Sequence, residues 1–336
     1  MRRRIVLATC LVGLTCSVQA GEFRLERLDD RVVVWDGDEL FTEYRFKDRR
    51  PCLFPVLGPT GHPMTRRWPL SPDPEHPESE DHPHHSGIWY AHGDVRLSGA
   101  GLKGDFWHRD SIEHQHFLDF QTHAKDDRLL TENSWKHKDG TELCRDQTRI
   151  QFGRGARARW IDFDLTLMAP VDQAVVLGDT KEGTMAIRVP ETMTVATESK
   201  HLRHLSKGRI TNSEGITGRE AWGKRAKWCV YDGPVEGEHT VIAIFDHPDN
   251  PRHPTWWMAR TYGLFAANPF GQSFFEKKPR GSGDFTIPAG RSVTFRYRFL
   301  FQSGPFDAKD IEARYKAFVT DGTVSTLKLR NPGRGG

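Results

Sequence analysis

The sequence predicts an all-β protein, a large antiparallel β-sandwich carrying one C-terminal helix. Three observations lead there. Val293, Phe295, Tyr297, Phe299 and Phe301 place every second side chain on one face over nine residues. The same alternation returns at Ile161, Phe163, Leu165 and Leu167, against Asp162, Asp164 and Thr166. Helical periodicity is confined to one stretch, Asp307 to Val319, with Ile311, Tyr315 and Phe318 on one side.

Along the chain, residues 1–20 read as a secretory signal peptide. Arg2, Arg3 and Arg4 precede an apolar run from Ile5 to Cys16, and Val18-Gln19-Ala20 offers small residues at cleavage spacing. This leader directs export to the periplasm or the exterior, by a general or a twin-arginine route. Residues 21–325 form a single β-sandwich domain and 326–336 a flexible C-terminal tail, with no internal repeat or linker composition between them. Arg31 to Trp35, Leu129 to Lys136 and Thr240 to Phe245 are further strands. Asp139-Gly140 is a hairpin turn between two such runs, and Pro288-Ala289-Gly290 punctuates the approach to the last long strand. Pro69 to Pro83 is a long loop, and long loops in compact domains are often functional. Asp307 supplies a cap for the terminal helix.

The formal net charge of +3 comes from 48 Lys+Arg and 45 Asp+Glu. Residues 1–20 hold three Arg and no acid, so the chain from Gly21 onward is formally neutral. Composition therefore gives no support for a nucleic-acid partner. Beyond the leader, no stretch approaches the roughly 20 apolar residues of a membrane-spanning helix. Small clusters at Arg49/Arg50 and Arg154/Arg157/Arg159 are expected to be solvated. Cys52, Cys144 and Cys229 allow at most one bridge, so this is not a disulfide scaffold.

Ten of the 16 His fall between His62 and His123. They are densest in Asp81-His82-Pro83-His84-His85, followed by His92 and Asp94. Imidazole is the commonest metal ligand and titrates near neutrality. Extended backbone would put His82 and His84 on one side and His85 on the other. Asp94 could join them from the next strand in a site for Zn, Mn or Fe. Metal-free acid/base catalysis and plain packing remain open for the same residues, and His114 and His116 read as half-buried sheet positions.

Three other constellations surround Gly104-Asp105-Phe106-Trp107-His108, Asn212-Ser213-Glu214-Gly215 through Trp228, and Tyr262-Gly263 through Asn268-Pro269-Phe270-Gly271. They mix Trp faces, amides, carboxylates and Arg, the set a sugar site uses for ring stacking and hydroxyl binding. Some of the ten Trp are equally suited to filling the core.

These runs carry a resemblance. Gly58-Pro59-Thr60-Gly61 with Thr65-Arg66, Asp81 to His85, Trp89 to Val95 and Asp105-Phe106-Trp107 are similar to a bacterial family known as methane oxygenase PmoA, or PmoA-like. Gly178 to Gly183, Asn212 to Trp228 and Gly263 to Gly271 continue it, so the resemblance spans roughly residues 40 to 301. Ser86 stands where that family tends to have Arg, and Arg96 to Lys103 looks like an expansion. Methane oxidation itself is rejected, since the enzyme subunit of that name is a multi-span membrane protein. The strand-rich layout and the ending Ile287-Pro288-Ala289-Gly290-Arg291 resemble galactose-mutarotase-type supersandwiches, which implies sugar ligands.

The expectation is an exported carbohydrate-active enzyme: a hydrolase, lyase or epimerase. His85 or His92 would move a proton, while His82, His84 and Asp94 hold a metal or orient those bases. Trp107 and Trp222 would stack a sugar ring, and Arg225 and Asn268 would bind its oxygens. The alternative is a noncatalytic sugar-binding or cell-envelope module.

Overall fold

The computed structural model describes residues 23–99, 101–121 and 128–321. The expected leader and tail lie outside the described residues. Two eight-stranded antiparallel sheets and one of four strands make up the fold. The first sheet runs in the spatial order Phe23–Arg27, Arg31–Asp36, Glu39–Arg45, Cys52–Val56, Ile88–His92, Gly183–Arg188, Leu264–Asn268 and Trp256–Ala259. The second begins at Arg209–Asn212 and passes through Trp228–Val235, Glu238–Asp246 and Ser292–Ser303. It continues with Ala158–Met168, Glu142–Gly155 and Arg128–Lys136 to Ser111–Gln121 at the far edge.

The alternation in the sequence explains how these sheets pack. Phe295, Tyr297, Phe299 and Phe301 point into a core shared with Trp89, Tyr90 and Ile187 of the first sheet. Leu300, on the opposite face, packs with Val241, Ala243 and Phe245 against the helix Ala308–Asp321 through Ile311, Tyr315 and Phe318. A strand covered on both faces thus keeps period-2 patterning while hiding both sets of side chains. Asp307 accepts the Lys309 N–H at 2.8 Å and so caps that helix. Gly140, at φ 91°, closes the hairpin between Arg128–Lys136 and Glu142–Gly155.

Two sequence expectations are corrected here. Arg159 is buried, because its guanidinium reaches Asp36 at 2.8 Å and Glu39 at 2.8 Å. Arg50 is buried as well, only 4% exposed. Cys52, Cys144 and Cys229 are buried free thiols. Among the described residues no helix is long and apolar enough to cross a membrane.

Candidate functional site

The long stretch between Cys52–Val56 and Ile88–His92 returns to the sheet through Gly87. A Cβ there would lie 2.2 Å from the Leu53 carbonyl oxygen, and φ is +63°, so the close return requires glycine. Just before it, the His85 N–H donates to the His82 carbonyl at 2.9 Å. Pro83 occupies the position of a turn that favours its fixed φ. The segment is therefore a turn, not extended backbone, and His82 and His85 share a side instead of opposing one another. Their rings lie parallel at 4.8 Å, with His84 set edgewise 4.4 Å from His85.

Beneath the turn lies a buried ion pair with two cations. Arg66 reaches Asp81 at 2.6 Å, and Arg188, from the strand Gly183–Arg188, reaches it at 2.9 Å. Arg66 also donates to the carbonyls of Ser79, His82 and His85 at 2.9, 3.2 and 3.3 Å, which fixes the course of the loop. Burial works to raise the Asp81 carboxyl, but His82, Arg188 and Arg66 hold it far below the usual carboxylate range. Arg188 lies 3.3 Å from His85 Nδ1, so that nitrogen accepts and the ring proton sits on Nε2. Burial, then the Arg188 charge, push His85 well below its ordinary value.

Facing the turn is a second one, in which Asp105 Oδ1 accepts the His108 N–H at 3.1 Å. The same carboxylate lies 3.1 Å from His108 Nδ1. An Nδ1 proton shared with Asp105 leaves Nε2 as a free acceptor on a side chain 40% exposed. Burial tends to raise the Asp105 carboxyl, but the hydrogen bonds and charge of His108, with Arg109, hold it below its ordinary value. His84 completes the group, its ring 4.6 Å from that of His108. Burial first, then His108, Arg50, His82 and Arg49, push His84 down to about 3, so it is neutral at physiological pH.

His82 links this group to a cleft of ≈ 330 Å³. Its ring stacks on Tyr262 at 5.3 Å and 5°. Tyr262 in turn lines the cleft with Trp222, Arg219, Arg260 and Glu198. Trp222 is held by Arg260, 5.0 Å over its ring, and by an edge contact with Phe275 at 5.3 Å.

Several expected site residues sit elsewhere. His92 is fully buried, donating to the Gly178 carbonyl at 2.8 Å and packed on Phe270. Burial pushes it down to about 4, so it is a neutral packing residue out of reach of a ligand. His85, 2% exposed, is equally screened. Asp94 pairs with Arg96 at 3.1 Å and Lys103 at 3.0 Å, on the four-stranded sheet's side, and does not join His82 and His84. Among the described residues no three His, Cys, Asp or Glu side chains are arranged to hold a metal ion. The Zn, Mn or Fe site anticipated at His82, His84 and Asp94 is thus not assembled by these donors.

Trp107 is fully buried, packed against Trp89 at 5.3 Å, and cannot stack a sugar. Asn268 spends its amide on the Thr180 carbonyl at 3.0 Å and the Phe270 N–H at 2.9 Å. Arg225 donates to the carbonyls of Pro254 and Arg252 at 2.8 and 3.0 Å and covers Trp256. Of the expected binding residues only Trp222 lines the cleft beside the histidines. His108, Tyr262 and Arg188 were missed as site residues; the spacing Asp105-x-x-His108 was the available signal for the first.

Solved structures give distant likenesses. A polysaccharide lyase matches at 11% identity, over 87% of this chain and 34% of its own, with a TM-score of 0.35. A GH36 alpha-galactosidase from Geobacillus stearothermophilus, in complex with raffinose, matches at 9% identity, over 84% of this chain and 40% of its own, with a TM-score of 0.38. A galactose mutarotase-like protein from Clostridium acetobutylicum matches at 9% identity, over 85% of this chain and 99% of its own, with a TM-score of 0.34. The chain spans only 34% and 40% of the lengths of the first two. Likenesses this weak tie it to none of their activities. No curated protein matches. A family profile described as "Family of unknown function (DUF6807)" matches residues 31–316, and the chain belongs to that family.

Proposed function

We propose that this chain is an exported carbohydrate-active enzyme that moves a proton at a sugar carbon or oxygen through His108, assisted by His84. The observation that carries the reading is the shared Tyr262 face: one side of the histidine group stacks directly on a wall of the aromatic cleft. Trp222 and Tyr262 offer faces for a sugar ring, while Arg219, Arg260 and Glu198 offer planar polar groups for its hydroxyls. Asp105 orients His108 so that Nε2 accepts a proton, and the resulting imidazolium is stabilised by the carboxylate on Nδ1. His84, held neutral, can donate or accept a second proton beside it. Hydrolysis, elimination and epimerisation all use such a step.

The test is turnover of a glycan panel by the wild type, His108→Gln and Trp222→Ala. His108→Gln is expected to lose about 10²–10⁴-fold in kcat with sugar binding kept. Trp222→Ala is expected to raise KM instead. Sugar binding without turnover by the wild type would favour the noncatalytic module, and an unchanged kcat in His108→Gln would remove His108 from the chemistry.

A further inference from the structure

Below the exposed histidines lie two cations that the acid/base reading does not use. Arg50 is 4% exposed, yet forms no ion pair among the described residues, and its Nε and Nη2 have no hydrogen-bond partner. Its one polar contact is from Nη1 to the Trp107 carbonyl at 3.1 Å. Arg49, half-buried, donates from Nη2 to the same carbonyl at 3.2 Å, with a longer contact to the Asp110 carbonyl at 3.5 Å. Two guanidinium groups thus share one carbonyl oxygen, with no carboxylate of the described residues within ion-pair distance of either. The Trp89 face, 4.9 Å from Arg50, offsets part of the cost of that burial.

An unpaired buried charge costs several kcal/mol unless something compensates it. Arg66 and Arg188, nearby, share the single carboxylate of Asp81, and Asp105 is engaged by His108 and Arg109. Asp105 and Asp110 offset part of the charge of Arg49, so the uncompensated charge is chiefly that of Arg50, next to the Asp105–His108–His84 group. Both arginines act electrostatically on His84, which places them within its field.

We propose that Arg49 and Arg50 form an anion subsite that selects sugars bearing a carboxylate, so that the ligand of this site is a uronic acid residue. The inference rests on the sugar-directed reading of the same site. Arg49 and the N–H of the neutral His84 contact the carboxylate, and Arg50 supplies charge from below, while His108 keeps Nε2 as the proton acceptor. A carboxylate fits because a guanidinium fork matches its two oxygens. An acidic group held here also lies beside the proton-transferring imidazole of His108.

The test uses calorimetric titration of the full chain with sodium D-glucuronate, D-glucose and D-glucose 6-sulfate. Arg49→Gln, on a half-buried side chain, is the main variant, and Arg50→Lys the second. The wild type is expected to bind glucuronate more tightly than glucose, and less tightly as salt rises from about 0.05 to about 0.5 M. Arg49→Gln is expected to weaken glucuronate binding about tenfold, as loss of one charge-assisted hydrogen bond does, and to leave glucose binding unchanged. Glucose binding as tight as glucuronate overturns the proposal, as does an Arg49→Gln affinity within about twofold of wild type. Tighter binding of the sulfate ester overturns the carboxylate assignment. Selective glucuronate binding without turnover of any glycan defeats the enzyme reading and leaves the subsite standing. Turnover by the wild type of neutral glycans, with no preference for glycans that carry a uronic acid, does the reverse.

Discussion

Asp81 is the residue on which the site's framework rests, and Asp81→Asn tests that. Its carboxylate holds Arg66 at 2.6 Å and Arg188 at 2.9 Å, and the two guanidinium side chains are 0% and 1% exposed. Removing the charge leaves both cations buried with no counter-ion, a change worth about 3–5 kcal/mol for a buried pair. Asp81 is itself 26% exposed, so water can enter the gap and the lower end, about 3 kcal/mol, is expected. At roughly 2 °C per kcal/mol in a chain of this size, Tm falls by about 6 °C. The urea midpoint falls by about 1 M. The folded-state carboxyl is held below its ordinary value of 3.8, so its stabilisation is present above that pH and lost as pH falls through the depressed folded value. The gap between wild type and variant is therefore flat from pH 7 to 5 and closes only in strong acid. Adding Arg188→Met to Asp81→Asn should recover part of the loss, since one orphaned cation is removed with it. A Tm within about 1 °C of wild type, or strict additivity in the double variant, refutes the account.

Two further outcomes follow from burial. His92 is fully buried with a folded-state value of about 4 against an ordinary 6.5, so the unfolded chain takes up its proton first as pH falls. Stability is full above about 6.5 and lost towards 4; between pH 7 and 4.5 the wild type should lose about 2–3 kcal/mol more than His92→Gln in urea unfolding. Equal losses in the two proteins would show that His92 is already accessible or charged. Gly87→Ala forces a Cβ to 2.2 Å from the Leu53 oxygen at φ +63° and should cost about 3 kcal/mol or more, read from the urea midpoint. A cost below about 1 kcal/mol would mean that the loop can leave the strand without strain.

The fold was legible wherever a strand was long enough to show its period. Ser292–Ser303 and Ala158–Met168 display the alternation over more than ten residues, and both were anticipated to within a few positions. The four-stranded sheet was not, because Val95–Leu97, Leu102–Gly104, Val175–Leu177 and Phe285–Ile287 have three residues each and show no repeat. The site was legible as a region and misleading in detail. A run of His reads as one cluster, yet the turn at Pro83 and the strand at Ile88–His92 send its members in different directions. Arg49-Arg50 sits in a polar run beside Lys47 and Asp48 that resembles any solvated loop. What buries Arg50 is the Trp89 face and the Trp107 carbonyl, which come from 39 or more residues further along the chain. No local pattern encodes that.

The separation within the histidine run has a physical logic. A group that transfers protons to a ligand must be reachable and must keep one nitrogen free of the protein. His85 and His92 fail the first condition, since each is buried, with one ring nitrogen held by Arg188 or by the Gly178 carbonyl. They act as shaped, neutral aromatic pieces that hold the loop and the strand ends. His108 meets both conditions, with Asp105 fixing Nδ1 and solvent reaching the rest of the ring. His84 is intermediate: it is kept neutral by burial and by the cations around it, so any proton it accepts is readily released. A carboxylate lodged against Arg49 and Arg50 would offset those cations and raise the basicity of His84. In that arrangement the ligand's own charge prepares the imidazole beside it, and the unpaired arginines and the exposed histidines become parts of one device.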